Sequence, residues 1–371
     1  MRQALKIAAW NAGLLVLLIL GAELIFGNWF AAPGLWNLGV FRNVAWTIDA
    51  TPFYERSGPV IYKRDYFGLR GAYGRPEDIN LLALGGSTTD QRNVSEGETW
   101  PDVLGACLQK KKNLSLNVAN AGVSGQSTRG HAANFDLWFN HIPGLKPRWV
   151  VALIGVNENA LEGRVDNDDV GRFTEGAKSP SAWQNFSSWV RLNSALLRLI
   201  STVRGNLKAM RAGIHPLSAE KLSAKERGDL AIDRMLAEAE AKAVPLEGDE
   251  LASLLGQTRK DMAGELDAMK GRLAVLAAKI EAFGAKPVFV TQNAANYRMA
   301  QGKVWGDLRN YARMRLFSEG IMAFCREKGL VCLDQASSLS FEDGDAYDSV
   351  HTTAKGSRRI GEWICERLEL P

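Results

Sequence analysis

The segment that decides the fold is residues 81–90, Leu81-Leu82-Ala83-Leu84-Gly85-Gly86-Ser87-Thr88-Thr89-Asp90. A short apolar run that ends at glycines is typical of a strand buried on both faces. The residues that follow, as far as residue 104, become helical in character. A strand that leads into a helix in this way places Ser87 at the carboxyl edge of a sheet, where open α/β sheets bind their ligands.

Two simpler roles for Ser87 stay open when this segment is considered alone. Serine is a favoured N-cap residue, so its hydroxyl could do no more than cap the following helix. The glycine-rich turn could also hold a phosphate, but it lacks the Gly-Lys-Ser/Thr ending of a P-loop. The rest of the chain must decide between these roles and a chemical one.

Short apolar runs separated by helical segments continue along the chain. The predicted strands are residues 79–84, 116–121, 149–154, 286–291 and 330–334. The predicted helices are residues 100–111, 130–139, part of 251–283, and 360–368. Strands that alternate with helices form a parallel sheet with helices on both faces. The sequence therefore predicts an α/β domain over residues 79–371 with a central five-stranded parallel sheet.

The N-terminus carries a strongly apolar segment, residues 7–26, preceded by Arg2 and Lys6. About twenty helical residues span the ~30 Å hydrocarbon core of a bilayer, and the preceding positive charges place the N-terminus in the cytoplasm. The alternative is a cleaved signal peptide followed by secretion, but Trp29 stands where the cleavage site needs a small residue. We predict a single-pass anchor over residues 1–26 in a bacterial inner membrane, with the remaining chain in the periplasm.

Two further regions flank or interrupt the predicted sheet. Residues 27–78 are rich in aromatic residues, glycine and proline, and we expect a connector that packs on the sheet through residues 66–71. Residues 158–245 are too long for one crossover, so we predict an insertion that leaves the sheet after Asn157. An apolar stripe at helical spacing, from Leu192 to Met210, predicts a helical cap on the domain. A lid, or a docking surface for an envelope protein, is the alternative.

The composition excludes several classes of function. The net charge of +4 on 371 residues is small and dispersed, so we expect no nucleic-acid partner. No metal cluster, dinucleotide fingerprint or phosphate loop occurs, so we expect no cofactor. Four cysteines in an oxidising compartment permit disulfides in three possible pairings, which stay open: Cys107, Cys325, Cys332 and Cys365.

A second reactive segment lies near the C-terminus, Tyr347-Asp348-Ser349-Val350-His351. It follows the fifth predicted strand, so it reaches the same sheet edge as Ser87. A serine hydroxyl needs a base within hydrogen-bond reach to act as a nucleophile, and histidine has a suitable pKa. A carboxylate such as Asp348 would hold the imidazole of His351 in the correct tautomer and stabilise its protonated form.

The tetrahedral intermediate of such a reaction also needs donors that point at its oxyanion, and losing one donor lowers the rate by about 10²–10³. The candidates are the backbone amides of Ser87 and Gly122 and the side-chain amide of Asn157. Ser124 is a poor alternative nucleophile, since its surroundings lack the second glycine of a lipase elbow. We interpret His131 and His141, two of the three remaining histidines, as structural because neither has a carboxylate at fixed spacing.

Four segments together resemble the sequence blocks of the SGNH (GDSL-type) hydrolase superfamily. They are Gly85-Gly86-Ser87-Thr88-Thr89, Asn120-Ala121-Gly122-Val123-Ser124-Gly125, Gly155-Val156-Asn157-Glu158 and Asp348-Ser349-Val350-His351. They occur in the order of the family and at the ends of the expected strands. Two residues depart from the pattern, because the family often has aspartate at the positions of Gly86 and Glu158.

The resemblance implies a flavodoxin-like three-layer sandwich over about residues 79–368. It implies Ser87 as nucleophile, His351 as base and Asp348 as its orienting acid, with Ser87, Gly122 and Asn157 as oxyanion donors. It also implies a serine esterase. Together with a location outside the cytoplasm, it favours an O-acyl group, in the first instance acetyl, on a cell-envelope or secreted carbohydrate.

Two alternatives to hydrolysis stay open. An O-acyltransferase would use the same residues and the same acyl-enzyme, with a sugar hydroxyl in place of water in the second step. A non-catalytic component of envelope polysaccharide assembly would use the insertion as its docking surface, but it would have no need to keep Ser87, Asn157, Asp348 and His351 together.

Overall fold

The structure is a computed structural model of the chain, and it describes residues 2–27, 29, 38–55, 58–159, 190, 194–197, 199–200 and 245–370. The strands are β1 Val44–Ile48, β2 Val60–Arg64, β3 Ile79–Gly85, β4 Asn117–Asn120, β5 Trp149–Ile154, β6 Lys286–Thr291, β7 Tyr297–Ala300, β8 Lys303–Gly306 and β9 Val331–Leu333. The helices within the described residues are α1 Arg2–Phe26, α2 Ser87–Asp90, α3 Trp100–Lys112, α4 Thr128–Leu137, α5 Val156–Asn159, α6 Gly248–Asp261, α7 Ala263–Ala282, α8 Leu308–Lys328, α9 Gln335–Ser338 and α10 Ala354–Arg367. Two short 3-10 helices are Pro76–Asp78 and Phe139–His141.

Five parallel strands form the central sheet in the spatial order β4-β3-β5-β6-β9. Counted along the chain this order is 2-1-3-4-5, which is the flavodoxin-like arrangement. Leu82 and Leu84 of β3 belong to the core that contains α4, α7 and α8, whereas Leu81 and Ala83 pack with α3 and α10 on the opposite face. The predicted three-layer α/β fold and its five strands are confirmed. The strands could be predicted because a strand covered on both faces is an unbroken apolar run in the sequence.

Helix boundaries differ from the prediction where capping residues decide them. The helix predicted over residues 130–139 begins at Thr128, because the Ser127 hydroxyl accepts the N–H of Arg129 as an N-cap. The final helix likewise begins at Ala354, since the side chain of Thr353 accepts a backbone N–H at its start. The amphipathic stretch 251–283 consists of two helices, α6 and α7, that meet at Met262.

The connector contains more regular structure than its composition indicated. Strands β1 and β2 form an antiparallel hairpin, which the sequence analysis did not predict. Residues 66–71 pack on the sheet as predicted, because Arg70 and Asn120 exchange backbone hydrogen bonds at the edge strand β4. A second unpredicted hairpin, β7–β8, follows β6.

All four cysteines are paired. Cys107 of α3 is bonded to Cys365 of α10, and Cys325 of α8 is bonded to Cys332 of β9, each with Cα atoms 6.1 Å apart. Both separations lie within the usual range for a disulfide. The first bridge joins the helix that follows the Ser87 turn to the helix that follows His351.

Within the part of the chain that the structure describes, one helix is long and apolar enough to span a membrane, and it is α1 over Ala9–Phe26. A signal sequence near the N-terminus would pass the same test of length and composition. Of the apolar stripe predicted in the insertion, Leu196 and Leu199 are described, and the remaining members lie outside the described residues.

Candidate active site

The turn after β3 places Ser87 as the first residue of α2, and the side chain of Ser87 is partly accessible to solvent. The N-cap of this helix is Gly86, so the proposal that Ser87 serves only as a cap is wrong. A Cβ atom on Gly86 would lie 1.9 Å from Asn157 Nδ2. The first departure from the family pattern therefore has a steric reason, because an aspartate at position 86 would displace Asn157.

Ser87, His351 and Asp348 form one hydrogen-bonded chain. His351 Nε2 lies 2.8 Å from Ser87 Oγ, and His351 Nδ1 lies 2.7 Å from Asp348 Oδ2. Both distances are within ordinary hydrogen-bond range. The sequence prediction that these three side chains meet at the carboxyl edge of the sheet is thus matched by their positions.

Asp348 is oriented by its own loop as well as by the imidazole. Its Oδ1 atom accepts the backbone N–H groups of Val350 at 2.9 Å and His351 at 2.6 Å. Burial by itself would raise the pKa of Asp348, but the hydrogen bonds and charge of His351 outweigh burial and hold the pKa below its ordinary value. The carboxylate is therefore charged at neutral pH, as an imidazolium partner requires.

The imidazole of His351 also lies in an aromatic stack. The ring of Tyr347 is parallel to it within 10°, with centroids 5.8 Å apart. Tyr54, from the connector, stacks on Tyr347 in turn at 5.8 Å. Both hydroxyl groups contact Asn93, since Tyr54 Oη donates to its carbonyl and its side-chain amide donates to Tyr347 Oη. The connector thus supports the histidine from one side.

Two of the three positions predicted to supply oxyanion donors have an N–H group that can donate to a ligand. The N–H of Ser87 has no acceptor among the described residues. Asn157 Nδ2 donates one hydrogen to Gln126 O at 2.7 Å, which leaves its second hydrogen for a ligand. Because Asn157 Nδ2 lies against Gly86, this amide borders the Ser87 turn.

The prediction for Gly122 is not supported, because its N–H donates to Asn120 Oδ1 at 2.9 Å. A Cβ atom at Gly122 would lie 2.1 Å from the backbone nitrogen of Asp90, so this glycine permits close packing behind the turn. In the same loop, Gln126 borders Gly86. Its carbonyl oxygen lies 3.3 Å from the point where a Cβ atom added to Gly86 would be.

A buried charge cluster that was not predicted from the sequence lies directly behind the turn. Asp90 Oδ1 accepts hydrogen bonds from Arg64 Nη2 at 2.7 Å and from Tyr62 Oη at 3.0 Å. Arg64 also donates to the carbonyl of Gly122. Arg70 donates to the backbone carbonyl of Asp90. Both arginines belong to the connector, residues 27–78. Little in the sequence indicates this cluster, because the pattern of residues around Arg64 does not show that its side chain is buried.

The direction of the pKa shift of Asp90 indicates that its carboxylate is charged. Burial acts to raise the pKa, but the charges of Arg64 and Arg70 prevail and hold it below the ordinary value.

A second polar network joins the Ser87 turn to the loop of His351. Gln91 is in the left-handed conformation, with φ of 48°, and ends α2. Its Nε2 donates to Thr352 Oγ1 at 2.7 Å, and its Oε1 accepts the Trp100 N–H at 2.7 Å and the Ser357 hydroxyl at 3.1 Å. Gln91 therefore fixes the distance between the two halves of the candidate site.

The second departure from the family pattern, Glu158, also has a structural role. Its buried carboxylate accepts the N–H of Thr128 at 2.6 Å and pairs with Arg272 Nη2 at 2.6 Å. It therefore ties the Asn157 loop to the start of α4 and to α7. Glu158 lies within this framework, although it was predicted to be the first residue of the insertion.

The other histidines do not join the site in the described structure. His131 is buried in α4, and burial lowers its pKa to about 3, so its ring is neutral at physiological pH. His141 contacts the carbonyl of Asp136 at 2.9 Å, and His215 lies outside the described residues. No three His, Cys, Asp or Glu side chains form a metal-binding group in the regions described.

The sequence matches the GDSL-like Lipase/Acylhydrolase family over residues 83–359. The fold resembles a lipolytic protein of the G-D-S-L family from Desulfitobacterium hafniense, with 14% identity, a TM-score of 0.39, and coverage of 78% of this chain and 99% of that one. For the acetylxylan esterase Axe2 from Geobacillus stearothermophilus the values are 14%, 0.40, 79% and 95%. TesA shares 13% identity with this chain, with a TM-score of 0.40 and coverage of 78% of this chain and 98% of that one. No curated protein shows a match.

Proposed function

Because the chain belongs to the GDSL-like lipase/acylhydrolase family and is an ester-hydrolysing enzyme, we propose that Ser87, His351 and Asp348 perform the reaction. The observation that carries the proposal is the continuous chain of hydrogen bonds from Ser87 Oγ through the imidazole to the carboxylate. The partial exposure of Ser87 leaves its hydroxyl accessible to an ester. No other described histidine is in contact with a serine hydroxyl at this sheet edge.

The reaction proceeds through an acyl-enzyme. Ser87 Oγ attacks the carbonyl carbon of the ester while its proton passes to His351 Nε2. The intermediate collapses as the bond to the leaving oxygen breaks, and His351 returns the proton to that oxygen. Water then attacks the acyl carbon with His351 again as base, which releases the free acid and restores the Ser87 hydroxyl. Asp348 stays charged throughout and stabilises the imidazolium.

Two donors stabilise the oxyanion in this proposal, the backbone N–H of Ser87 and the second amide hydrogen of Asn157. Gln126 fixes Asn157 through its carbonyl, so the amide is oriented before a substrate binds. Donors that are already in place contribute more than donors that must reorganise during the reaction.

The natural substrate in this proposal is an O-acyl group, in the first instance acetyl, on a carbohydrate outside the cytoplasm. Two observations support a location in an oxidising compartment: the apolar helix α1 at the N-terminus and the two disulfides. We propose that α1 stays attached as a membrane anchor and that the catalytic domain faces the periplasm.

The test uses the full chain in detergent micelles with a chromogenic acetyl ester. We expect Ser87→Ala and His351→Ala each to lower kcat by at least about 10³-fold, because the acyl-enzyme cannot form without both groups. The control is Ser338→Ala, which removes an exposed serine hydroxyl that contacts only the carbonyl of Asp334. Undiminished turnover in a folded Ser87→Ala variant would rule out the proposed nucleophile.

A second measurement addresses the substrate. Acetate release from an acetylated polysaccharide is compared with turnover of a long-chain acyl ester, using the same enzyme preparation. A carbohydrate acetyl esterase should release acetate in a Ser87-dependent way and should show little activity on the long-chain ester. The reverse preference would exclude the acetyl substrate while leaving the esterase mechanism in place.

A further inference from the structure

Glu23 is a carboxylate near the end of the apolar helix α1, and the proposed reaction does not use it. A charged side chain in a membrane helix is costly unless it reaches the interface or finds partners. Trp29 Nε1 donates to Glu23 Oε2 at 2.9 Å. Three more donors come from the insertion: the Ser194 hydroxyl at 2.6 Å, the Ala195 N–H at 2.9 Å and the Leu196 N–H at 2.9 Å. The carboxylate therefore joins α1 to a segment 171 residues later in the chain.

The segment that Glu23 contacts presents apolar side chains to its surroundings. Residues 195–197 and 199–200 are helical. Leu199 is 60% exposed, and Leu196, Leu197 and Ile200 are also exposed. Clustered exposed apolar side chains mark a surface that contacts a membrane or another protein. In the described regions outside α1, no other stretch of this length exposes so many large apolar residues.

An apolar groove of about 380 Å³ lies between this segment and α1. Its described lining residues lie along α1 between Leu18 and Phe26 and along the insertion between Ala195 and Leu199, and none of these described residues is charged. Eight residues of α-helix correspond to about 12 Å, so the groove extends from the outer end of α1 into its apolar part. If α1 spans a membrane, a segment that lies beside this part of α1 is in the same part of the bilayer.

We propose that residues 194–197 and 199–200 lie in the outer interface of the bilayer beside α1, face lipid, and are held there by Glu23. The groove then takes the acyl chain of a bilayer lipid. This inference goes beyond the ester chemistry, but it rests on the proposed location of α1 in a membrane. It explains why Glu23 is tolerated, because the carboxylate accepts hydrogen bonds from two backbone N–H groups and a hydroxyl instead of remaining unpaired in lipid.

The contact has two consequences for the enzyme. It attaches the insertion to the membrane surface, so the catalytic domain is fixed at two points of the chain rather than at one. It also requires α1 to stay in the mature protein, since cleavage after α1 would remove the carboxylate that holds the segment.

The experiment measures spin-label accessibility in the full chain, reconstituted in phosphatidylethanolamine–phosphatidylglycerol vesicles. All four native cysteines are in disulfides, so one introduced cysteine supplies the only free thiol. The test position is Leu199→Cys, and the positive control is Leu14→Cys in α1. The matched control is Val275→Cys in α7, where an apolar side chain is 53% exposed on the catalytic domain.

We expect the Leu199 and Leu14 labels to be more accessible to oxygen than to a water-soluble nickel complex, by several-fold relative to the Val275 label. Adding Glu23→Leu should shift the Leu199 label toward the values of the Val275 label and leave the Leu14 label unchanged. If the Leu199 label matches Val275 while Leu14 is in lipid, the inference fails and the anchor stands. If the Leu14 label is also exposed to water, both the inference and the proposed membrane anchor fail.

Two further results would overturn the inference. A Leu199 label that is shielded from both reagents would indicate a protein partner in place of lipid. A lipid-exposed Leu199 label that does not respond to Glu23→Leu would show that Glu23 does not hold the segment. Ester hydrolysis is measured separately on the same vesicles, so a failure of the proposed reaction is distinguishable from all of these results.

Discussion

At the scale of single residues, the Ser87 turn depends on a carboxylate that the family motif does not explain. Asp90 is buried three residues after Ser87, and its charge is balanced by Arg64. When one partner of a buried ion pair is removed, the other is left as an uncompensated charge, which costs about 3–5 kcal/mol. The stability of the site is therefore sensitive to an arginine that lies outside the segment matched by the family.

This dependence predicts that Arg64→Met lowers the free energy of unfolding by about 3–5 kcal/mol, measured by urea denaturation. The matched control is Arg75→Met, which removes an exposed arginine that pairs with Asp78 at 3.3 Å, and its denaturation midpoint should not change. Equal effects of the two substitutions would contradict a structural role for the buried pair.

The neutral imidazole of His131 predicts a specific pH dependence of stability. Its folded pKa of about 3 lies below the unfolded value of about 6.5, so the unfolded state binds more protons between these two pH values. Stability should therefore fall as the pH drops below about 6.5, and the loss from this residue reaches about 2 kcal/mol at pH 5. His131→Gln should reduce this slope. An unaltered slope in His131→Gln would contradict the prediction.

At the scale of elements, the loop that carries His351 is held by the connector through Tyr347 and Tyr54. An aromatic pair contributes about 0.5–1.5 kcal/mol beyond its buried area, which corresponds to roughly a tenfold effect if it is lost in the transition state. Because Tyr347 acts through His351, it is a positioning residue.

We expect Tyr347→Leu to lower kcat by about tenfold with little change in KM, because the imidazole loses its stacking partner. Tyr347→Phe keeps the ring and should restore most of the activity, which separates stacking from the hydrogen bond to Asn93. If Tyr347→Phe is as impaired as Tyr347→Leu, the hydroxyl and not the stack orients the site.

The elements also show which parts of the fold were accessible from sequence. The five sheet strands were predicted because burial on both faces leaves unbroken apolar runs. The β1–β2 hairpin was missed, since its strands bury Tyr62 and Arg64 together and show no clean alternation of apolar and polar residues. The meeting of Ser87, Asp348 and His351 could be predicted because the expected chemistry restricts residue type. Gly122 could not be judged, because its N–H donates to the Asn120 side chain, whose orientation is set in the folded structure by a hydrogen bond to the carbonyl of Thr89.

At the scale of the whole molecule, two disulfides of very different span contribute to stability. Cys107 and Cys365 are 258 residues apart, whereas Cys325 and Cys332 are seven apart. In the chain-entropy model these loops correspond to about 5.6 and about 2.4 kcal/mol. We expect the double variant Cys107→Ala/Cys365→Ala to lose clearly more stability in urea than Cys325→Ala/Cys332→Ala. Equal losses would contradict an entropic origin of the difference.

The central claim, that Ser87 is the nucleophile, is tested most directly by trapping the acyl-enzyme. The full chain is mixed with a chromogenic acetyl ester, quenched in acid during turnover, digested and analysed by mass spectrometry. The prediction is an acetyl group on Ser87 in the wild type, with increased occupancy when the second step is slowed, and no acetylated peptide in His351→Ala. Turnover without an adduct on Ser87, or with the acetyl group on another residue, would contradict the account.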